Sequence, residues 1–189
     1  MTAPRKTKEN LIHAAIAVLK KQGSEGLTLR KVATEATVSL GNLQYHFRDR
    51  TALMAGMAEY YFRECELLLD DYQHTPEDGS KEEQLRGFIL FMLDHVDHIS
   101  DMCRMFREIW ALSTRDEDIH RQMINYYEVT LRKLSELLVP LADSREAATA
   151  MACLLVPYIE GYSITFMALP QEKNETAQML TKLCATIDR

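Results

Sequence analysis

Apolar residues recur along most of the chain three and four positions apart, the spacing that lines them up on one side of an α-helix. No stretch alternates apolar and polar residues as a half-buried strand does. The fold class this predicts is all-α. In residues 9–21 the stripe is Leu11, Ile12, Ala15, Ile16 and Leu19, and Gly23 with Gly26 ends the helix. Residues 28–47 then read as two short helices joined by a tight turn. Thr28 is placed to cap the first, whose Leu29, Val32, Ala33 and Ala36 share one face. Ser39 is placed to cap the second, and Val38 just before it can staple against Leu43. Asp49 is placed to cap a fourth helix that runs to about residue 72 through Leu53, Met57, Tyr60, Tyr61 and Leu67.

Residues 74–80 gather Pro76, Gly79 and polar side chains, the composition of a surface loop. Beyond them the pattern is helical throughout. Ser80 starts a helix carrying Leu85, Phe88, Ile89, Met92, Leu93 and Val96, and residues 102–112 form a shorter one. Asp116 caps a long helix, through Ile119, Met123, Tyr126, Tyr127, Leu131, Leu134 and Leu138, that Pro140 stops. The last two helices, about 144–168 and 172–187, are apolar over arcs too wide for one small core, so part of their surface is expected to meet a second copy of the chain. Pro157 inside the first of these predicts a kink or a lost hydrogen bond near Cys153.

The second helix of the short pair has an unusual outer face. With Leu43 and Phe47 turned inward, Leu40, Gly41, Asn42, Gln44 and Tyr45 are left outside, with almost no charge to repel DNA. Asn and Gln can each make the paired hydrogen bonds that adenine offers in the major groove. Gly41 clears space where a backbone approaches closely, at a cost of roughly 1 kcal/mol relative to alanine. This face suits a helix lying in the groove of duplex DNA.

Composition sharpens that picture once it is divided along the chain. At 189 residues and 47% hydrophobic content the sequence can bury a substantial core. The net charge of −6 argues against a nucleic-acid partner, but residues 1–50 hold nine Lys or Arg against four acids, a net +5, and the rest carries −11. A basic head on an acidic body is the asymmetry of a DNA-binding module joined to one that stays off DNA. The expected domains are residues 1–50, a DNA-binding head, and 51–189, a helical effector-binding and dimerisation body. Cys65, Cys103, Cys153 and Cys184 form no CxxC pair and read as reduced, mostly buried thiols. Neither an export signal nor an apolar run of about 18 residues is evident, so a cytoplasmic protein is expected.

The run Val38-Ser39-Leu40-Gly41-Asn42-Leu43-Gln44-Tyr45-His46-Phe47, followed by Arg48-Asp49-Arg50-Thr51-Ala52-Leu53, resembles the signature of TetR-type transcriptional regulators. The resemblance implies a helix-turn-helix in which residues 39–46 form the recognition helix and Tyr45 and His46 approach the phosphate backbone. Arg50 stands where the family usually has a phosphate-binding Lys. With Thr28 and Arg30, the expected DNA-binding set is Thr28, Arg30, Ser39, Leu40, Gly41, Asn42, Gln44, Tyr45, His46 and Arg50. Two residues depart from the family pattern: Thr37 replaces a frequent Gly in the turn, and Gln44 a frequent Tyr. In the body, Arg107-Glu108-Ile109-Trp110-Ala111 and Glu160-Gly161-Tyr162 resemble the effector domain of the betaine-repressor (BetI-like) branch.

The resemblance implies a small-molecule effector, and Met and aromatic residues make an adaptable apolar wall for one. The expected lining is Met102, Met105, Phe106, Trp110, Met151, Tyr158, Glu160 and Phe166, with Met167 beside them; the plain alternative is ordinary core. Glu108 or Glu160, if turned inward, calls for a cationic partner, which makes the expected effector largely apolar with a cationic end. The partners implied are double-stranded DNA with a palindromic operator, that effector and a second copy of the chain, with no cofactor. Two other readings are a metal-responsive regulator, in which Asp94, Asp97, His98 and Asp101 share one side of a helix near His95, and an all-helical enzyme. No phosphate loop, nucleophile elbow or metalloprotease helix supports the enzyme reading.

Overall fold

A computed structural model describes residues 4–72, 79–98 and 100–187. Among the described residues the chain is nine α-helices and no strand: α1 (Pro4–Gly26), α2 (Leu29–Glu35), α3 (Leu40–His46), α4 (Arg50–Asp71), α5 (Lys81–His98), α6 (Ser100–Ser113), α7 (Glu117–Leu138), α8 (Arg145–Thr165) and α9 (Lys173–Ile187). Short 3-10 turns at Val139–Leu141 and Phe166–Ala168 follow α7 and α8.

Local chemistry sets these boundaries. Asp49 accepts a hydrogen bond from the Ala52 amide at 2.8 Å, Asp116 from the Ile119 amide at 3.1 Å, and Ser144 from the Ala147 amide at 3.0 Å, each relieving an orphan donor at a helix start. Ser80 and Glu83 form a reciprocal capping box: the Ser80 amide donates to Glu83 at 2.9 Å and the Glu83 amide to the Ser80 hydroxyl at 3.3 Å. The Ser80 amide and then the Ser80 hydroxyl, each donating to the carboxylate at 2.9 Å, hold the Glu83 carboxyl below the usual carboxylate range. Gly23, at φ 69° and ψ −177°, breaks the helical path within α1.

The chain divides into two compact units, residues 1–65 with 104–124 and residues 66–103 with 125–189. In the first, α1 packs on α2 and α2 on α3. Leu11, Ala15, Val18, Val32, Leu43, Phe47, Leu53, Met54 and Met57 are buried there. A β-carbon at Gly56 would come within 2.5 Å of the Phe47 ring, so α4 can pass this close only because position 56 has no side chain. Glu9 with Arg63 at 3.2 Å and Lys8 with Glu59 at 3.1 Å tie α1 to α4 across the surface. Phe106 of α6 is buried against Tyr61 and Phe62, with ring centroids 5.3 and 6.4 Å away.

In the second unit α5, α8 and α9 pack on one another around Phe88, Ile89, Leu93, Ala148, Met151, Ala152, Leu155, Leu180 and Cys184. Helix α8 is long and apolar enough to cross a membrane, yet it sends seven residues, from Ala147 to Tyr162, into buried positions. It runs through Pro157 as one continuous helix. Proline has no N–H for the Cys153 carbonyl, and because both residues are exposed, water can take that place.

Candidate nucleic-acid interface and interior polar site

The short helix pair forms by local bonding. Thr28 caps α2, accepting from the Lys31 amide at 3.4 Å, and Ser39 caps α3, accepting from the Asn42 amide at 3.1 Å. Between them the Thr37 amide donates to the Thr34 carbonyl at 3.1 Å and the Val38 amide to the Ala33 carbonyl at 2.9 Å. This is a Schellman end for α2, and it places Thr37 where the backbone must turn left-handed. Its φ is 55°, a conformation a β-branched residue adopts only under strain. Thr37→Gly is therefore expected to stabilise the fold by about 1 kcal/mol, read as a raised midpoint of denaturant unfolding, and no gain would mean the turn carries no strain.

Leu43 and Phe47 are buried, which settles how α3 is turned. Gly41, Asn42, Gln44 and Tyr45 are exposed, Tyr45 at 85%, while Leu40 and His46 are partly buried. The His46 ring lies edge-on to Tyr45 at 5.1 Å. A β-carbon at Gly41 would meet nothing within 4 Å, so no neighbour in this chain requires glycine there.

The cations around α3 differ in what they hold. Arg50, expected at phosphate, is exposed, but its Nη2 donates to the Ser24 carbonyl at 3.0 Å and its Nε to the Leu27 carbonyl at 3.2 Å. It thus clamps the end of α1 and the residue after it to the start of α4. Lys31 donates to Gln22 at 2.5 Å, and Lys21 pairs with Glu35 at 2.8 Å. Thr28 and Arg30 are exposed. Arg48, absent from the expected set, has 87% of its side chain open beside Asp49. Its neighbour Phe47 turns inward, and that was the available signal.

The expected effector residues are divided between the two units. Phe106 and Trp110 belong to the first unit, and Met151, Tyr158, Glu160 and Phe166 to the second. Trp110 is 54% exposed, because α6 turns Phe106, Ile109 and Ser113 inward and leaves position 110 about 100° from Ile109 around the helix. Glu108 is partly buried, Met151 is buried, Phe166 is exposed and Met167 is 87% exposed. Tyr158 stacks on Tyr162 at 6.4 Å, and Tyr162 meets Phe166 at 5.9 Å. The side chains of Met102 and Met105 lie outside the described residues.

Glu160 stands apart from the other acids. It is partly buried, and loss of hydration pushes its carboxyl up to about 7 although the Tyr127 hydroxyl donates a hydrogen bond to it. Of the cluster weighed as a metal site, the side chains of His95, Asp97, His98 and Asp101 lie outside the described residues. Asp94 pairs with Lys173 at 2.5 Å, and among the described residues no three metal-ligating side chains come together.

A recognition helix held by its own cap, in a three-helix head whose outward face bears amides and a tyrosine, defines a helix-turn-helix transcriptional regulator. The model of the TetR family of bacterial regulatory proteins matches residues 11–57, which span this head. An uncharacterized HTH-type transcriptional regulator from the dhlA 5′ region of Xanthobacter autotrophicus is 38% identical over 177 residues, 93% of this chain and 87% of the relative. The nicotine-responsive transcriptional repressor HdnoR of Paenarthrobacter nicotinovorans is 28% identical over 175 residues, 87% of this chain and 86% of the relative. BetI regulators are also among the relatives. The crystal structure of a transcriptional regulator from Rhodococcus sp. Rha1 shares the fold, with a TM-score of 0.76 at 18% identity over 95% of this chain and 96% of that one. The chain belongs to the TetR family of transcriptional regulators.

Proposed function

We propose that the protein is a cytoplasmic repressor that binds a palindromic operator as a homodimer and leaves it when a small, largely apolar effector with a cationic end binds the body. In this reading residues 1–50 read DNA, and residues 51–189 bind the effector and dimerise. The observation that carries the proposal is the outward face of α3, where exposed Gly41, Asn42, Gln44 and Tyr45 surround an anchored Leu43. Asn42 and Gln44 read base edges, while Tyr45, His46, Arg50, Thr28 and Arg30 hold the backbone, with Ser39 setting the start of α3.

The other parts of the reading have their own support. Ile164 of α8, Phe166 and Met167 of the 3-10 turn after it, and Met179 and Leu183 on α9 are large apolar side chains exposed on the single chain, the material of a symmetric interface. Two heads about 34–36 Å apart would meet successive half-sites on one side of the duplex. The family tie to a nicotine-responsive repressor and the partly buried Glu160 both favour a nitrogenous, cationic effector.

Gly41→Ala tests the central assignment. Free space at position 41 means the variant folds with stability unchanged or raised by up to about 1 kcal/mol, because alanine is the better helix former. The added methyl is expected to weaken binding to an operator selected from random duplexes at least tenfold, read by mobility shift with sedimentation fixing the dimer. Unchanged operator affinity would remove α3 from the groove, and a monomer at micromolar concentration would remove the paired-head geometry.

A further inference from the structure

Glu160 lies within the second unit, on α8, and takes its hydrogen bond from Tyr127 on α7. A carboxylate offers about four acceptor positions, so one phenol leaves most of them unused. Among the described residues Glu160 has no salt-bridge partner, whereas the exposed acids Asp70, Asp94, Glu136 and Asp143 of this unit are paired with Lys or Arg. Glu160 is less exposed than these four acids and, among the described residues, has no cation beside it. A second group on α7 makes the same point independently. The hydroxyl of Thr130, a residue only 6% exposed, has no hydrogen-bond partner, and it sits three residues beyond Tyr127, on the same side of the helix. Polar groups that are buried and unpaired are costly in an apolar core and are expected where a polar ligand completes them.

We propose that Glu160, oriented by Tyr127, is the receiving point for an effector's protonated amine, and that it selects an ammonium group bearing at least one N–H over a quaternary one. This rests on the effector reading above and adds the chemistry of its cationic end. An N–H donor makes a charge-assisted hydrogen bond to the free lone pairs of the carboxylate, a contact that a trimethylammonium group cannot form. Tyr127 holds the carboxylate in place, so it is a positioning residue. Its ring packs on Tyr126 at 5.2 Å, which limits where the hydroxyl can point.

The test is calorimetric titration of the full chain at pH 8 with three probes: N-methylphenethylamine, its N-acetyl derivative and phenethyltrimethylammonium. The amine is expected to bind about ten- to a hundredfold more tightly than either of the others. Glu160→Gln should abolish that preference, and Tyr127→Phe should reduce it while leaving circular dichroism unchanged. Equal binding of the amine and the quaternary probe, a preference that survives Glu160→Gln, or no binding of any probe at millimolar concentration would overturn the assignment. Release of operator DNA by the same amine is measured separately. Binding at Glu160 without release would leave this site standing and remove the effector reading.

Discussion

Glu160→Gln is expected to stabilise the protein at pH 8 by up to about 3 kcal/mol and to gain little at pH 5. The carboxyl titrates near 7 in the folded chain against an ordinary value of 4.5. Between those values the folded chain holds a proton that the unfolded chain has released, so stability is full below the lower value and falls as pH rises through the upper one. Above about pH 7 the folded protein carries an ionised group that burial disfavours. Glutamine has nearly the same shape, keeps an oxygen to accept from Tyr127 and never ionises, so the penalty disappears. Denaturant unfolding of both proteins at pH 5 and pH 8 isolates the effect, because every other titrating group is common to the two. A difference between wild type and variant that does not change with pH would show that Glu160 is not the group at about 7. A bound ammonium group would offset the same penalty, which makes the wild type at pH 8 the form with most to gain from a cation.

The helix starts were legible because caps are local. Ser39, Asp49, Asp116 and Ser144 each bond an amide two or three residues ahead, within the window a sequence shows. The orientation of α3 was legible for the same reason, since Leu43 and Phe47 stand four residues apart, on one side of the helix and its end. The contacts that the sequence did not show are those whose partner lies far along the chain. Arg50 finds carbonyls 23 and 26 residues earlier, and no spacing rule predicts that. Glu160 finds Tyr127 on a different helix. Trp110, expected in the effector lining, is 54% exposed on the single chain, and only tertiary packing decides which side of α6 is buried. Thr37 shows a different balance: three hydrogen bonds at the end of α2 hold a residue type that would not choose this conformation alone.

The second large effect expected is on sequence reading. Asn42→Ala and Gln44→Ala should each weaken the selected operator by about 1–3 kcal/mol and flatten the preference at one base pair per half-site, with weak binding to random DNA nearly unchanged. Both side chains are exposed on a helix anchored by buried Leu43, so truncation removes a reading group without disturbing the head. The contrast lies with the cations. Arg30 and Arg48 are exposed, and neutralising either, if it meets a phosphate, should weaken all sequences alike and lower the salt slope by about one. Arg50 should behave differently from both. Its guanidinium holds the carbonyls of Ser24 and Leu27, so Arg50→Ala is expected to lower the unfolding midpoint as well as weaken DNA binding, whereas a pure phosphate contact would leave the midpoint untouched. Selection of operators by each variant at two salt concentrations separates the three behaviours. Unchanged base preference in both Asn42→Ala and Gln44→Ala would mean that α3 reads DNA through other groups.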